Sequence, residues 1–420
     1  MQRIITSAVF VALLLGIDWY VFQAVRTVSQ GASATIQRFI SGGYWLLTLI
    51  SLLGIAWMAV SRGTPPTALR TYLTSAILVL FVSKLVVVLF LLLDDAGRLV
   101  RYAISKFGDQ PAPVGSDGSP GISRSQFISR LGLAMAAIPF TSLLWGMAKG
   151  ATDYQVKRVV LKFPNLPASF DGFKLLQISD LHTGSFNANP EPLERAVALI
   201  NKQNADVVFM TGDLVNNIAT EVEPHIETLA KIRSKHPIYS ILGNHDYADY
   251  VDWSAQGGAA AKTANLDRLK QNHAKIGWQL LLDESHHIER NGDRIAVLGV
   301  QNWGAQMRFP KYGNLAQAHA GSGDAAFKIL LSHDPSHWEA QVLEYPDIDL
   351  TLSGHTHGMQ FGVNLPGFKW SPVQYVYKQW AGLYQQGRQH LYVNTGLGFI
   401  GYPGRVGFLP EITVFELRRA

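Results

Sequence analysis

Long apolar stretches at the start of the chain most constrain how it can fold. Three of them, residues 4–25, 42–60 and 72–93, approach or exceed the roughly 18 apolar residues that a bilayer span requires. A fourth, residues 131–147, is shorter and richer in Ala and Gly, so it fits a span or a hairpin at the membrane interface. Residues 1–150 carry only 17 Asp, Glu, Lys and Arg, against 50 in the last 270. We therefore expect an all-α membrane region of about four helices over residues 1–150 and a separate domain over residues 151–420.

The connections between these segments predict the orientation. Residues 108–123 (GDQPAPVGSDGSPGIS) have the composition of a flexible linker. Connections one and three carry seven basic residues, and the N-terminal tail and connection two carry three, which favours the first set inside. With four spans, the second domain then lies outside the cytoplasm, although basic residues just after the fourth span weaken the count and leave the cytoplasmic face open. Because the basic residues flank apolar runs, they do not indicate a nucleic-acid partner.

Two charged residues lie inside the apolar segments at matching depths. Asp18 lies about 14 residues into the first span and Lys84 about 12 residues into the third, and these two helices run in the same direction. We expect a buried ion pair with a structural role; a proton or ion pathway is the alternative.

The second domain alternates short apolar strands with helical stretches, which predicts an α/β fold. The predicted strands are residues 173–178, 207–210, 238–242, 295–300, 327–331 and 350–352, and the predicted helices are residues 190–203, 221–235 and 263–275. The chain has no cysteine, so disulfides, zinc-thiolate sites and a cysteine nucleophile are excluded. All 13 histidines lie after residue 150.

Five of the predicted strands are followed by side chains that bind metals. These segments are Asp180-Leu181-His182, Gly212-Asp213, Gly243-Asn244-His245-Asp246, His333-Asp334 and Gly354-His355-Thr356-His357. Each alone is weak, because an Asp after a strand often caps a helix or forms a turn. Together they supply seven carboxylate, imidazole and amide donors, a set suited to two ions of the Mn, Fe or Zn class.

In these motifs the chain resembles the calcineurin-like metallophosphoesterase superfamily, with D-x-H, G-D, G-N-H-D, H and G-H-x-H in order between Phe173 and Leu417. The resemblance implies a two-sheet β-sandwich flanked by helices, and two divalent metal ions. It assigns Asp180, His182 and His357 to one metal, and Asn244, His333 and His355 to the other. Asp213 would bridge both metals. His245 would be the catalytic histidine, oriented by Asp246.

The resemblance is to a membrane-anchored bacterial branch similar to UDP-2,3-diacylglucosamine pyrophosphatases and cell-envelope phosphodiesterases. It implies an integral protein of a bacterial cytoplasmic membrane that hydrolyses a phosphodiester or pyrophosphate, with a lipid-linked or small-molecule substrate. Arg405, in a Gly/Pro-rich loop, would clamp a phosphate or satisfy backbone carbonyls. The alternatives are a protein or small-molecule phosphomonoesterase, and a receptor or transporter subunit with a vestigial phosphoesterase domain. The oligomeric state does not follow from the sequence.

Residues 368–384 interleave six aromatic residues with Lys369 and Lys378. This composition favours a membrane interface. A packed edge of the sandwich explains it equally well.

Overall fold

The computed structural model describes residues 2–60, 68–107, 122–306 and 309–420, in two compact units. The first unit is Met1–Trp145 and the second is Gly146–Ala420.

Four long helices form the first unit. They are α1 (Gln2–Ser29), α2 (Ala34–Val60), α3 (Ala68–Phe107) and α4 (Arg124–Ala148). All four are long and apolar enough to cross a membrane. The predicted segment 131–147 lies within α4, a continuous helix, which excludes the hairpin alternative. Of the predicted linker 108–123, only Ile122 and Ser123 belong to the described residues.

A polar contact joins three of these helices. Lys84 of α3 forms an ion pair with Asp18 of α1. The Tyr44 hydroxyl of α2 lies 3.0 Å from Asp18 Oδ1 and 2.8 Å from the Asp18 carbonyl oxygen. The ion pair expected from the sequence is therefore present, and Tyr44 extends it to α2.

Two six-stranded sheets form the frame of the second unit. The first has the order β1 (Gln155–Phe163), β14 (Glu411–Arg419), β2 (Lys174–Ile178), β3 (Val207–Met210), β4 (Tyr239–Ser240) and β5 (Gln279–Leu280). The second has the order β12 (Gly382–Gln386), β13 (Gln389–Val393), β9 (Leu350–Ser353), β8 (Lys328–Leu331), β7 (Asp293–Gly299) and β6 (Glu284–Arg290). A separate hairpin pairs β10 (Val363–Leu365) with β11 (Phe368–Trp370). In each sheet the central strands are parallel, so their carboxyl ends meet at one edge.

The alternation of side chains along the strands builds the core. In β3, Val207 and Phe209 pack between the two sheets, whereas Val208 and Met210 pack under the outer helices. The helices are α5 (Glu191–Lys202), α6 (Ile226–Leu229), α7 (Gly258–Ile276), α8 (Leu315–Ala320) and α9 (Ser336–Ala340). Because both faces are covered, the central strands are mostly apolar, and Gln177 and Thr351 are among their buried polar residues. The fold is the predicted sandwich flanked by helices.

The predicted helix over residues 221–235 is wrong. The chain there forms a 3₁₀ turn, Ala219–His225, followed by the one-turn helix α6. Pro224 lies inside this turn. Proline has no backbone N–H and disfavours a helical conformation in the residue before it, so a regular α-helix through this position is unfavourable.

Candidate metal centre

The predicted metal-binding side chains meet at the carboxyl edge of the two sheets. Asp180 and Asp213 follow β2 and β3 in the first sheet, and Asn244 follows β4. His333 follows β8 and His355 follows β9 in the second sheet. The edge where parallel strands end is the usual place for polar side chains that converge on a ligand.

The structure brings the donors into two groups. Asp180, His182 and His357 form one group, and Asp213, His333 and His355 the other, with donor atoms in each group within 4.8 Å of one another. Asn244 joins the second group, because its Oδ1 lies 2.8 Å from His355 Nδ1 and 3.2 Å from His333 Nε2.

Asp213 lies between the two groups. Its Oδ2 is 3.2 Å from His333 Nε2 and 3.7 Å from His182 Nε2. One carboxylate therefore faces donors of both groups, which is the position expected of a bridging ligand.

Hydrogen bonds behind the rings fix three of the histidines. His182 Nδ1 is 3.2 Å from the Val215 carbonyl oxygen, and His333 Nδ1 is 2.7 Å from that of Thr211. His355 Nε2 is 2.8 Å from the Tyr377 hydroxyl. With one ring nitrogen donating to such a partner, the other presents its lone pair to the site, as metal-binding histidines do.

The backbone at these positions is strained. Asp180, His182, Asp213, His355 and His357 all have positive φ, between 46° and 72°. Such conformations are uncommon outside glycine, are more accessible to Asp and His than to most residues, and cluster at functional sites. Five of the seven predicted ligands share this feature, which indicates that the loops are shaped to aim the donors.

Two glycines let these loops approach one another. A Cβ on Gly354 would overlap Ser179 Oγ and Asp180 Oδ2, and one on Gly243 would overlap the Asp213 carboxylate. Each position lies beside a proposed ligand, so only a residue without a side chain fits there.

The electrostatics favour an ionised Asp213. Burial opposes its charge, but the nearby His333 and His245 rings hold its pKa well below the usual range. Burial likewise opposes a charged His333, and Asp213 raises the pKa of that ring. At His182 burial outweighs the opposing effect of Asp213 and holds the pKa of the ring well below its usual range. An anionic carboxylate and a neutral His182 ring are the protonation states that metal binding requires.

His245 lies beside the first group, but Asp246 does not orient its ring as expected. His245 Nδ1 is 2.7 Å from the Asn216 carbonyl oxygen, and its ring packs against His182 and Tyr250. The Asp246 carboxylate instead accepts backbone N–H groups of Gly243, Asp213, Leu214 and Val215. Asp246 therefore holds together the loops after β3 and β4, and the Asn216 carbonyl fixes His245.

Arg405 is not placed to clamp a phosphate. Its side chain is buried, with 1% of the residue exposed. The guanidinium donates to the carbonyl oxygens of Thr395 and Gly398, at 2.6 Å for Thr395, and Nη2 is 3.0 Å from His357 Nδ1. The alternative interpretation, in which Arg405 satisfies backbone carbonyls, is the correct one. The arginine supports the loop behind His357.

Three aromatic residues at the site did not emerge from the sequence. The Tyr250 hydroxyl accepts a hydrogen bond from Asn244 Nδ2 at 2.7 Å, and burial raises the pKa of Tyr250 to about 12. Tyr377 supports His355 from behind, and the Phe309 ring packs edge-on against the His355 ring. Tyr377 belongs to the aromatic stretch 368–384, which the sequence assigned to a membrane interface or a packed edge and not to the metal site, and no local signal marks Phe309. Tyr250 follows Asn244 by six residues, but the pattern does not set it apart from other loop aromatics.

The residues fit divalent metal ions. Buried carboxylate, imidazole and amide donors face one another, and three of the four rings have acceptors behind them. This donor set suits Mn, Fe or Zn.

Comparison with known proteins agrees with this site. A family model described as calcineurin-like phosphoesterase matches residues 173–359. A model described as the transmembrane domain of a probable calcineurin-like phosphoesterase matches residues 1–151.

Three curated relatives extend the similarity. The uncharacterized metallophosphoesterase YkuE of Bacillus subtilis is 32% identical over 306 residues, which are 71% of this chain and 98% of that protein. A zebrafish transmembrane protein with a metallophosphoesterase domain is 30% identical over 68% of this chain, and the match spans 62% of the zebrafish protein. The phosphodiesterase YaeI of Escherichia coli is 27% identical over 58% of this chain and 82% of its own length.

Proposed function

The chain belongs to the calcineurin-like metallophosphoesterase family, and from this premise we propose that it hydrolyses a phosphodiester or pyrophosphate bond in a lipid-linked or cell-envelope substrate, such as UDP-2,3-diacylglucosamine. Its general activity is that of a metal-dependent phosphoester hydrolase associated with a membrane. The substrate class, the use of two metal ions and the roles of individual residues form the proposal.

One observation carries the proposal: a single buried carboxylate, Asp213, faces donors of two separate groups. Asp180, His182 and His357 hold one ion in the proposal, and Asn244, His333 and His355 hold the second. Two divalent cations would neutralise the anionic phosphoester and lower the pKa of an attacking water.

The protein groups around the ions have their own tasks. His245 Nδ1–H donates to the Asn216 carbonyl, so the ring can give a proton to the leaving oxygen from Nε2 when Nε2 is protonated as well. Asp246 keeps the loops of Asp213 and His245 together through four backbone N–H groups. Arg405 positions His357 from behind.

A membrane-derived diester or pyrophosphate is favoured over a phosphomonoester because the four apolar helices keep the domain near lipid. The description of YaeI as a phosphodiesterase supports the same choice. A vestigial domain in a receptor or transporter subunit is disfavoured, since the seven donors converge with their supporting hydrogen bonds in place.

We place the protein in a bacterial cytoplasmic membrane with the catalytic domain outside the cytoplasm. The seven basic residues of connections one and three, against three on the other side, support this orientation. Because nucleotide sugars are made in the cytoplasm, the outward orientation favours a cell-envelope phosphodiester as the substrate in cells, and hydrolysis of UDP-2,3-diacylglucosamine there would require the opposite orientation.

A substrate panel tests the proposal. The detergent-purified chain would be assayed with divalent metal on UDP-2,3-diacylglucosamine, an aryl phosphodiester, an aryl phosphomonoester and a phosphopeptide, with Asn244→Ala as the blank. We expect preferential turnover of the lipid nucleotide or of the diester. Preference for the monoester or the phosphopeptide would overturn the assigned substrate class, and equal turnover by Asn244→Ala would overturn the assigned site.

A further inference from the structure

The β10–β11 hairpin exposes apolar side chains that the fold of the second unit does not use. Leu365 and Phe368 face each other across the hairpin and are 61% and 57% exposed. Val363 of β10 is also exposed, as are Met359, Tyr375 and Val376 in the segments that flank the hairpin in sequence. We call these six residues the apolar rim. Exposure of single apolar residues is ordinary. Two large apolar side chains exposed together at the tip of a hairpin are unfavourable in water, and such a cluster indicates a surface that binds another apolar surface.

The rim is attached to the loops of the metal centre. The Ser371 hydroxyl, just after β11, donates to the carbonyl oxygen of Gly358, which is the neighbour of His357. The Trp370 indole N–H lies 3.3 Å from the Tyr375 hydroxyl, and Tyr377, two residues further on, supports His355. A surface that docks on the rim would therefore lie beside the proposed ligands.

The charge of this region is unusual for the domain. Residues 151–349 contain 24 of the 26 Asp and Glu residues found after residue 150, whereas residues 350–410 contain none. The same stretch carries Lys369, Lys378 and Arg388 in exposed positions, whereas its fourth basic residue, Arg405, is buried. The stretch therefore contributes no carboxylate of its own, and Glu339, which lies beside it, is paired with Lys378. Apolar and aromatic side chains together with lysines complement an anionic lipid surface.

The short connection between α4 and β1 also keeps the second unit near lipid. Helix α4 ends at Ala148 and β1 begins at Gln155. The six residues between them span at most about 20 Å when fully extended. The second unit thus cannot diffuse away from the membrane that holds α4.

From these observations we propose that the apolar rim inserts into the headgroup and acyl boundary of the bilayer, so that lipid reaches the metal centre without leaving the membrane. Leu365 and Phe368 enter most deeply. Lys369, whose amino group lies over the Trp380 ring, remains at the base of the hairpin. The claim that a lipid substrate reaches the metal centre in this way rests on the proposed function, whereas the insertion of the apolar rim does not.

Fluorescence quenching by lipid tests insertion without any turnover. The chain has no cysteine, so Phe368→Cys in the full-length protein can be labelled uniquely with an environment-sensitive dye and placed in nanodiscs that contain brominated lipid. Val160→Cys on β1 is the matched control, since Val160 is 58% exposed on the same domain. We expect quenching at position 368 at least about twofold stronger than at position 160. Equal quenching at both positions would overturn the proposal, whether the rim is then free in water or covered by protein.

A second measurement links insertion to catalysis. Leu365→Asp and Phe368→Asp change exposed side chains, so we expect the fold to be retained. We expect turnover of a phosphodiester lipid in vesicles to fall several-fold, with turnover of a water-soluble aryl phosphodiester unchanged. Equal losses on both substrates would contradict a role in lipid access. If the unsubstituted protein hydrolysed neither substrate, this would count against the proposed function, and the quenching result would still test insertion.

Discussion

His245 is the residue whose proposed role is chemical rather than structural. Its ring is fixed by the Asn216 carbonyl and packs against His182, but it belongs to neither donor group. We expect His245→Ala to keep its metal and to lose about 10²- to 10⁴-fold in turnover. Turnover and metal content would be measured on the same preparation, with His319→Ala on α8 as the control. Unchanged turnover, or loss of metal together with turnover, would contradict this role.

Buried histidines outside the site predict how stability depends on pH. His273 on α7 is fully buried, and burial lowers its pKa to about 4. Because the unfolded ring titrates near 6.5, the unfolded state binds more protons between these values, so stability is present above pH 6.5 and is lost as the pH falls toward 4. The loss is about 1.4 kcal/mol per pH unit for one such group.

Replacing His273 tests this linkage. In His273→Gln, the thermal unfolding midpoint in detergent should fall less steeply between pH 6.5 and 4 than in the unsubstituted protein. At pH 8 the ring is neutral in both states, so any difference there reports packing alone. Parallel curves over the acidic range would show that the ring does not titrate on unfolding.

At the scale of elements, the sequence marks the strands and helices that are buried or strongly periodic. The runs at residues 207–210, 327–331 and 350–352 are strands because both of their faces are covered. Strand β1 was not predicted, since its exposed positions break the apolar run, and β14 pairs with it across more than 240 residues.

The proposed metal ligands were predictable because each lies in a segment that follows a strand. Their supports, Tyr377 and the Asn216 carbonyl, were not, since only the tertiary fold brings them there.

The contact among α1, α2 and α3 predicts how the membrane helices assemble. The Asp18 carboxylate pairs with Lys84 and accepts a hydrogen bond from the Tyr44 hydroxyl. Removal of either charge leaves its partner uncompensated in an apolar environment. We therefore expect Asp18→Asn and Lys84→Met each to reduce the amount of protein in the membrane. The double variant should restore it, which immunoblots of membrane fractions would measure. Additive losses would contradict a structural pair, and Ser51→Ala on α2 serves as a control for an ordinary polar substitution.

At the scale of the whole molecule, the orientation proposal predicts which positions react from outside the cell. Ser254 is exposed in the second unit, and Ser119 lies in the connection between α3 and α4, outside the described residues. In intact cells an impermeant thiol reagent should label Ser254→Cys and not Ser119→Cys. The reverse pattern would place the catalytic domain in the cytoplasm.

The proposed two-ion site is tested most directly by counting metal ions. We expect the purified chain, reconstituted with Mn²⁺ and freed of excess metal, to hold about two ions. Asp180→Ala should hold about one, because its carboxylate belongs to one group only. Asp213→Ala should lose most of both, because it faces both groups, while Asp347→Ala, a surface carboxylate, should keep the full count. One ion or none in the unsubstituted chain, or a full count in Asp213→Ala, would contradict the dinuclear site.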